Sequence, residues 1–181
     1  MKRTGLIFIF IFLTGLFSGL FFSINLSYEN SSYLSSLLLA GLERESAGFL
    51  SVFLSVLFSN LALALLMAPA LLTKVLCPLP PAILWYKSFA IGFCSGLVYA
   101  GQAQQPILIS LLKLLPQNVF LIPAFLLLSV VLFSRSRMQP AQKNRPAGRQ
   151  ELLYAIAAAV ALIFLGALTE AVFHLIALSP S

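Results

Sequence analysis

The chain has 181 residues, of which 60% are hydrophobic and 9% charged, with a mean hydropathy of +1.01. These values exclude a soluble globular domain and point to a polytopic membrane protein. The net charge of +6 comes from basic residues placed between apolar runs. They serve to set orientation in a membrane, and nucleic acid is not expected as a partner. Cys77 and Cys94 are too few for a disulfide framework, and with the only histidine, His174, they make no metal-ligand spacing. The only acids are Glu29, Glu43, Glu45, Glu151 and Glu170. Catalysis is therefore not expected, and neither is a cofactor.

The first apolar run, Leu6 to Phe22, follows Met1-Lys2-Arg3. It is longer than the hydrophobic region of a usual signal peptide and lacks a small-x-small cleavage site, so an uncleaved helix is expected over about 6–24. Within it Gly15 and Gly19 form a small-xxx-small face of the kind that lets helix backbones approach in lipid. Residues 25–47 are polar enough to leave the hydrocarbon. Tyr33, Leu34, Leu37, Leu38 and Leu42 recur there at helical spacing, which predicts a short amphipathic helix over Ser31 to Glu45, lying on the membrane surface.

A second span is expected over 48–72, long enough to cross a hydrocarbon core of ~30 Å. Asn60 near its middle needs a partner on a neighbouring helix, because an amide in hydrocarbon has no water to bind. The Pro78-Leu79-Pro80-Pro81 turn ends this span and reverses the chain. A third span follows over 82–101, with Trp85, Tyr86 and Lys87 as an interfacial anchor and Gly92 and Gly96 as a second small-xxx-small face.

The fourth run, 107–133, is interrupted by Pro116 and Pro123. Two solutions are open. One is a half-helix from Ile107 to Leu115, a break at Pro116-Gln117-Asn118 and a spanning helix from Val119, with the broken backbone satisfied by protein or water. The other is a kinked helix capped by Gln117 and Asn118 at headgroup level. Residues 134–150 hold Arg135, Arg137, Lys143, Arg145 and Arg149 and no acid, which marks a cytoplasmic loop. The fifth span, 151–178, carries Glu170 and His174 four residues apart on one face. Glu170 sits either at the interface or paired inside the bundle. With a cytoplasmic N-terminus and an outer C-terminus, nine of the eleven basic residues fall inside, and only Arg44 and Lys113 fall outside.

With the spans placed, Phe89-Ala90-Ile91-Gly92-Phe93-Cys94-Ser95-Gly96-Leu97 and Leu114-Leu115-Pro116-Gln117-Asn118-Val119-Phe120-Leu121-Ile122-Pro123-Ala124 resemble the stage II sporulation protein M family. The likeness lies in a glycine-containing third helix and a Leu-Pro-(Gln/His)-(Asn/Gly) segment followed four residues later by Pro-Ala. Leu168-Thr169-Glu170-Ala171-Val172 also looks like the family's last helix. The resemblance implies an all-α, five-helix, non-enzymatic membrane scaffold of the engulfment machinery. In that picture it holds secreted peptidoglycan-degrading proteins, one transglycosylase-like and one an amidase/endopeptidase, at the mother-cell or septal membrane. Membrane lipids are its other partners, and a homo-oligomer is left open. The second reading is a transporter or channel subunit built around the fourth helix.

Overall fold

A computed structural model describes residues 2–42, 48–100, 115–138 and 146–178. They form six α-helices: α1 (Lys2–Ile24), α2 (Tyr28–Leu42), α3 (Phe49–Met67), α4 (Leu79–Ala100), α5 (Leu115–Ser136) and α6 (Pro146–Leu178). All but α2 are long and apolar enough to cross a membrane. The fold is thus all-α and polytopic, as the hydropathy pattern predicts. Among the described residues no strand occurs.

The joints between helices follow from local chemistry. At the end of α1 the side chain and backbone of Asn25 both donate to the Phe21 carbonyl, at 2.7 and 3.2 Å, satisfying an acceptor that the helix leaves open. After α3 the chain tightens into two short 3-10 turns, Ala68–Leu71 and Lys74–Leu76. Pro80 and Pro81 then occupy the first turn of α4, where a missing N–H costs nothing because no carbonyl precedes it in the helix. This helix starts at Leu79, three residues before the expected 82.

The most extensive interface joins α1 and α4, and it is made by the two small-residue faces meeting each other. A Cβ on Gly15 would lie 2.6 Å from the Trp85 carbonyl oxygen, and one on Gly19 would lie 2.8 Å from the Phe93 nitrogen. From the other side, a Cβ on Gly92 would come 2.9 Å from the Leu16 carbonyl carbon, and one on Gly96 would come 2.9 Å from Ser23 Cβ. At Gly15, Gly19 and Gly92 backbone touches backbone, and at Gly96 the Ser23 side chain takes the space, so only hydrogen fits at these four positions. Phe22 closes the seam against Phe89 and Phe93, with ring centroids 6.1 and 6.0 Å away.

A second layer packs α5 against α6 and α6 against α3. The core between the layers contains Phe8, Met67, Leu84, Leu121, Phe125 and Ile163. Ser129 is fully buried there and donates to the Pro80 carbonyl at 3.4 Å, tying the middle of α5 to the start of α4. Phe10, Phe17, Phe21, Leu65 and Tyr154 point outward. Outward apolar side chains on this scale suit a lipid solvent, since soluble monomers rarely expose such area.

Two further boundaries differ from expectation. The basic segment 134–150 is partly helical: Arg135 lies in the last turn of α5, and α6 begins at Pro146, a residue whose fixed φ suits a first helical position. Arg135 is buried and donates from Nη1 to the Gly148 carbonyl at 2.7 Å, which clasps the two helix ends together. In α2 the buried residues are Ser31 and Ser35, which face the bundle, whereas Tyr33 and Leu37 are exposed. The helix expected over Ser31 to Glu45 runs from Tyr28 to Leu42, with its serine stripe turned inward, and residues 43–45 lie outside the described residues.

Candidate functional site

An intramembrane polar cluster forms where α3, α4 and α6 converge, and a lysine is at its centre. Because α4 begins at Leu79, Lys87 stands more than two turns inside the helix, half-buried among its neighbours. Its Nζ donates to Oδ1 of Asn60 on α3 at 2.8 Å. The same Nζ lies 5.6 Å from the centre of the Phe125 ring on α5, within range of the ring's negative face. Asn60 is only 4% exposed, and its amide nitrogen donates back to the Val56 carbonyl at 2.8 Å. Both ends of that amide are therefore used, one on its own helix and one across to α4.

Glu170 on α6 lies close enough to Lys87 for each charge to act on the other. Its Oε2 is buried without a hydrogen-bond partner, and so is Nδ1 of His174 one turn further along the same helix. Glu170 is half-buried on α6. Cys94, half-buried on α4, is also within electrostatic reach of Lys87. Its sulfur is a free thiol.

The proline-amide segment lies beside this cluster. The described helix α5 already includes Pro116, Gln117 and Asn118 in its first turn, and does not start at Val119. Proline is compatible with that position because a first-turn residue has no intrahelical acceptor for an N–H. The half-helix expected from Ile107 and Lys113 lie outside the described residues. Asn118 is buried and Gln117 half-buried. A Cβ on Gly166 would lie 3.2 Å from the Gln117 carbonyl oxygen and 3.1 Å from Leu121 Cγ, so α6 approaches α5 closely just one turn before Glu170. Pro123 stands inside α5 on an exposed face, and the helix continues through it.

The predicted residues thus fall into two groups. Asn60, Gln117, Asn118 and Glu170 are on the helices that enclose Lys87 or adjoin it, whereas Gly92 and Gly96 are on the opposite face of α4 against α1. Sequence reasoning missed Lys87. The available signal was the Pro80-Pro81 pair, which reads as a helix start as readily as a helix stop. Among the described residues, no group of three His, Cys, Asp or Glu is placed to hold a metal ion.

A family model described as "SpoIIM: Stage II sporulation protein M" matches residues 8–173, nearly the whole chain. No curated protein and no solved structure matches.

Proposed function

The chain belongs to the stage II sporulation protein M family, and on that premise we propose that it is a membrane scaffold for the engulfment machinery of sporulation. Membership makes it a sporulation-related, multi-pass membrane protein, and the family is not one of known enzymes. In the proposed role it recruits peptidoglycan hydrolases, one transglycosylase-like and one an amidase/endopeptidase, to the septal membrane. The observation that carries the reading is the full-length family match on a bundle of five spans. The N-terminus is cytoplasmic and the C-terminus outside in this reading, which puts α2, with its exposed Tyr28, Tyr33 and Leu37, on the side where secreted partners arrive.

Affinity capture of the detergent-extracted protein from sporulating cells tests the role, with copurifying wall hydrolases as the expected result. Glu170→Gln, or Gln117→Leu combined with Asn118→Leu, is expected to lower that copurification at least several-fold while the protein still inserts. Normal copurification and normal engulfment in both variants would remove function from this region. The Lys87–Asn60 bond and the nearby Glu170 favour one second reading, a transporter or channel subunit, because charged groups inside spans often mark a conducted species. Substrate-dependent uptake in proteoliposomes, without any hydrolase in the capture, would establish it instead.

A further inference from the structure

We infer that the end of the bundle where α3 turns into α4 binds anionic phospholipid, with basic side chains on the headgroup phosphates and the apolar side chains of the joint among the acyl chains. The packing gathers the start of α1, the end of α3, the start of α4, the end of α5 and the start of α6 at this end. Helices α1 and α4 run in the same direction, since Gly15 lies against Trp85 and Ser88 while Gly96 lies against Ser23. Phe133 near the end of α5 meets Phe8 near the start of α1, with ring centroids 5.3 Å apart, and Arg135 ties the end of α5 to the start of α6. The α3–α4 joint belongs to the same end, because its first 3-10 turn packs against α5. Among the described residues, the exposed charges here are Arg3, Lys74, Arg137, Arg149 and Glu151, four bases to one acid. The opposite end exposes only Glu29 among the described residues.

Charge alone would only orient the chain, and the joint adds a second feature. Leu72 and Val75 are 80% and 83% exposed, more than any other large apolar side chain among the described residues, and Lys74 stands between them, itself exposed. Thr73 is extended, with φ −135° and ψ 147°, so the helical path is broken at this point. The apolar spans on either side end at Leu71 and begin at Lys74, which puts the joint at the edge of the hydrocarbon. Apolar side chains this exposed at that depth are covered by acyl chains, and the ammonium beside them reaches out to the headgroups. Arg137 is held 5.6 Å from the centre of the Phe133 ring, and a guanidinium seated on a ring keeps a planar fork of N–H donors that matches phosphate oxygens. A phospholipid with a net negative headgroup meets both features at once. A soluble anion would leave Leu72 and Val75 in water, and a zwitterionic lipid would bring its own cation to the bases. The site depends neither on the scaffold role nor on which side of the membrane this end occupies.

Tryptophan quenching in vesicles tests it. Trp85 is the only tryptophan, so Trp85→Phe combined with Val75→Trp puts a single reporter on the joint of the full chain. In phosphatidylcholine vesicles, quenching titrated against the mole fraction of brominated lipid is expected to show a several-fold higher apparent affinity for phosphatidylglycerol than for phosphatidylcholine. A basic residue beside an anionic leaflet contributes about fivefold to association, so Lys74→Gln and Arg137→Gln should each lower that affinity by about this factor. Equal quenching by the two lipids, or a preference that the two substitutions together leave intact, would overturn the site. Loss of the preference on adding inorganic phosphate at constant ionic strength would also overturn it, by assigning the bases to a soluble anion. Should the reporter variant not fold, the unsubstituted chain in uncharged detergent decides. Its melting transition is expected to rise more with added phosphatidylglycerol than with added phosphatidylcholine, and equal rises would overturn the site.

Discussion

The two faces of α4 solve the problem of helix association in opposite ways. Towards α1, Gly92 lets backbones meet and Gly96 makes room for the Ser23 side chain, and no charge takes part. The serines near that seam bond within their own helices, Ser23 to the Leu20 carbonyl and Ser88 to the Trp85 carbonyl, at 2.7 and 2.8 Å. Towards α3 and α5, a single long side chain, Lys87, reaches across to Asn60 and Phe125. The first face tolerates no added atom but depends on no particular polar group. The second leaves Glu170 Oε2 and His174 Nδ1 buried without hydrogen-bond partners, which is a poor way to hold helices together.

Gly92→Leu should break the first face most severely. Its side chain would collide with the α1 backbone, which cannot give way as a flexible side chain would. We expect a loss of about 3 kcal/mol or more, or no folded protein, read as the melting transition in detergent. On the second face the effect is smaller. Lys87→Met and Asn60→Leu should each destabilise, and the double variant should lose less than their sum, by about 0.6 to 2 kcal/mol in a double-mutant cycle. Strict additivity would mean that the bond contributes nothing. Ser95→Ala should matter least, within about 0.5 kcal/mol, because its hydroxyl only donates to the Ile91 carbonyl of its own helix at 2.8 Å. A larger loss would show that the serines of α4 link helices after all.

How far these faces could be read from the sequence depends on the physical scale of each feature. The spans were legible because an apolar run of about 20 residues has few alternatives to crossing a bilayer. Both glycine motifs were also visible, but a small-xxx-small face does not encode its partner. Their pairing is a matter of three-dimensional register. The bond from Lys87 to Asn60 was not legible, because it depends on the register of α4 against α3, which no local pattern encodes. The spacing of Glu170 and His174 was plain, but the cation beside them was not, since it comes from a helix more than 80 positions earlier in the chain. The inward serine stripe of α2 was hidden by a rule that assigns apolar residues to the interior, which fails where the surroundings are themselves apolar.

The clasp between Arg135 and the Gly148 carbonyl has a topological consequence. It shortcuts the chain between α5 and α6, so the ends of the intervening segment are held by a bond that the segment itself does not make. The spacing and direction of the two spans are consequently decoupled from the length of what joins them. Lengthening a flexible connection between two points held in this way adds only a slowly growing entropy cost, about 0.6 kcal/mol for each doubling. Sequence added between α5 and α6, including a reporter or a binding module, is therefore expected to leave both faces of α4 undisturbed.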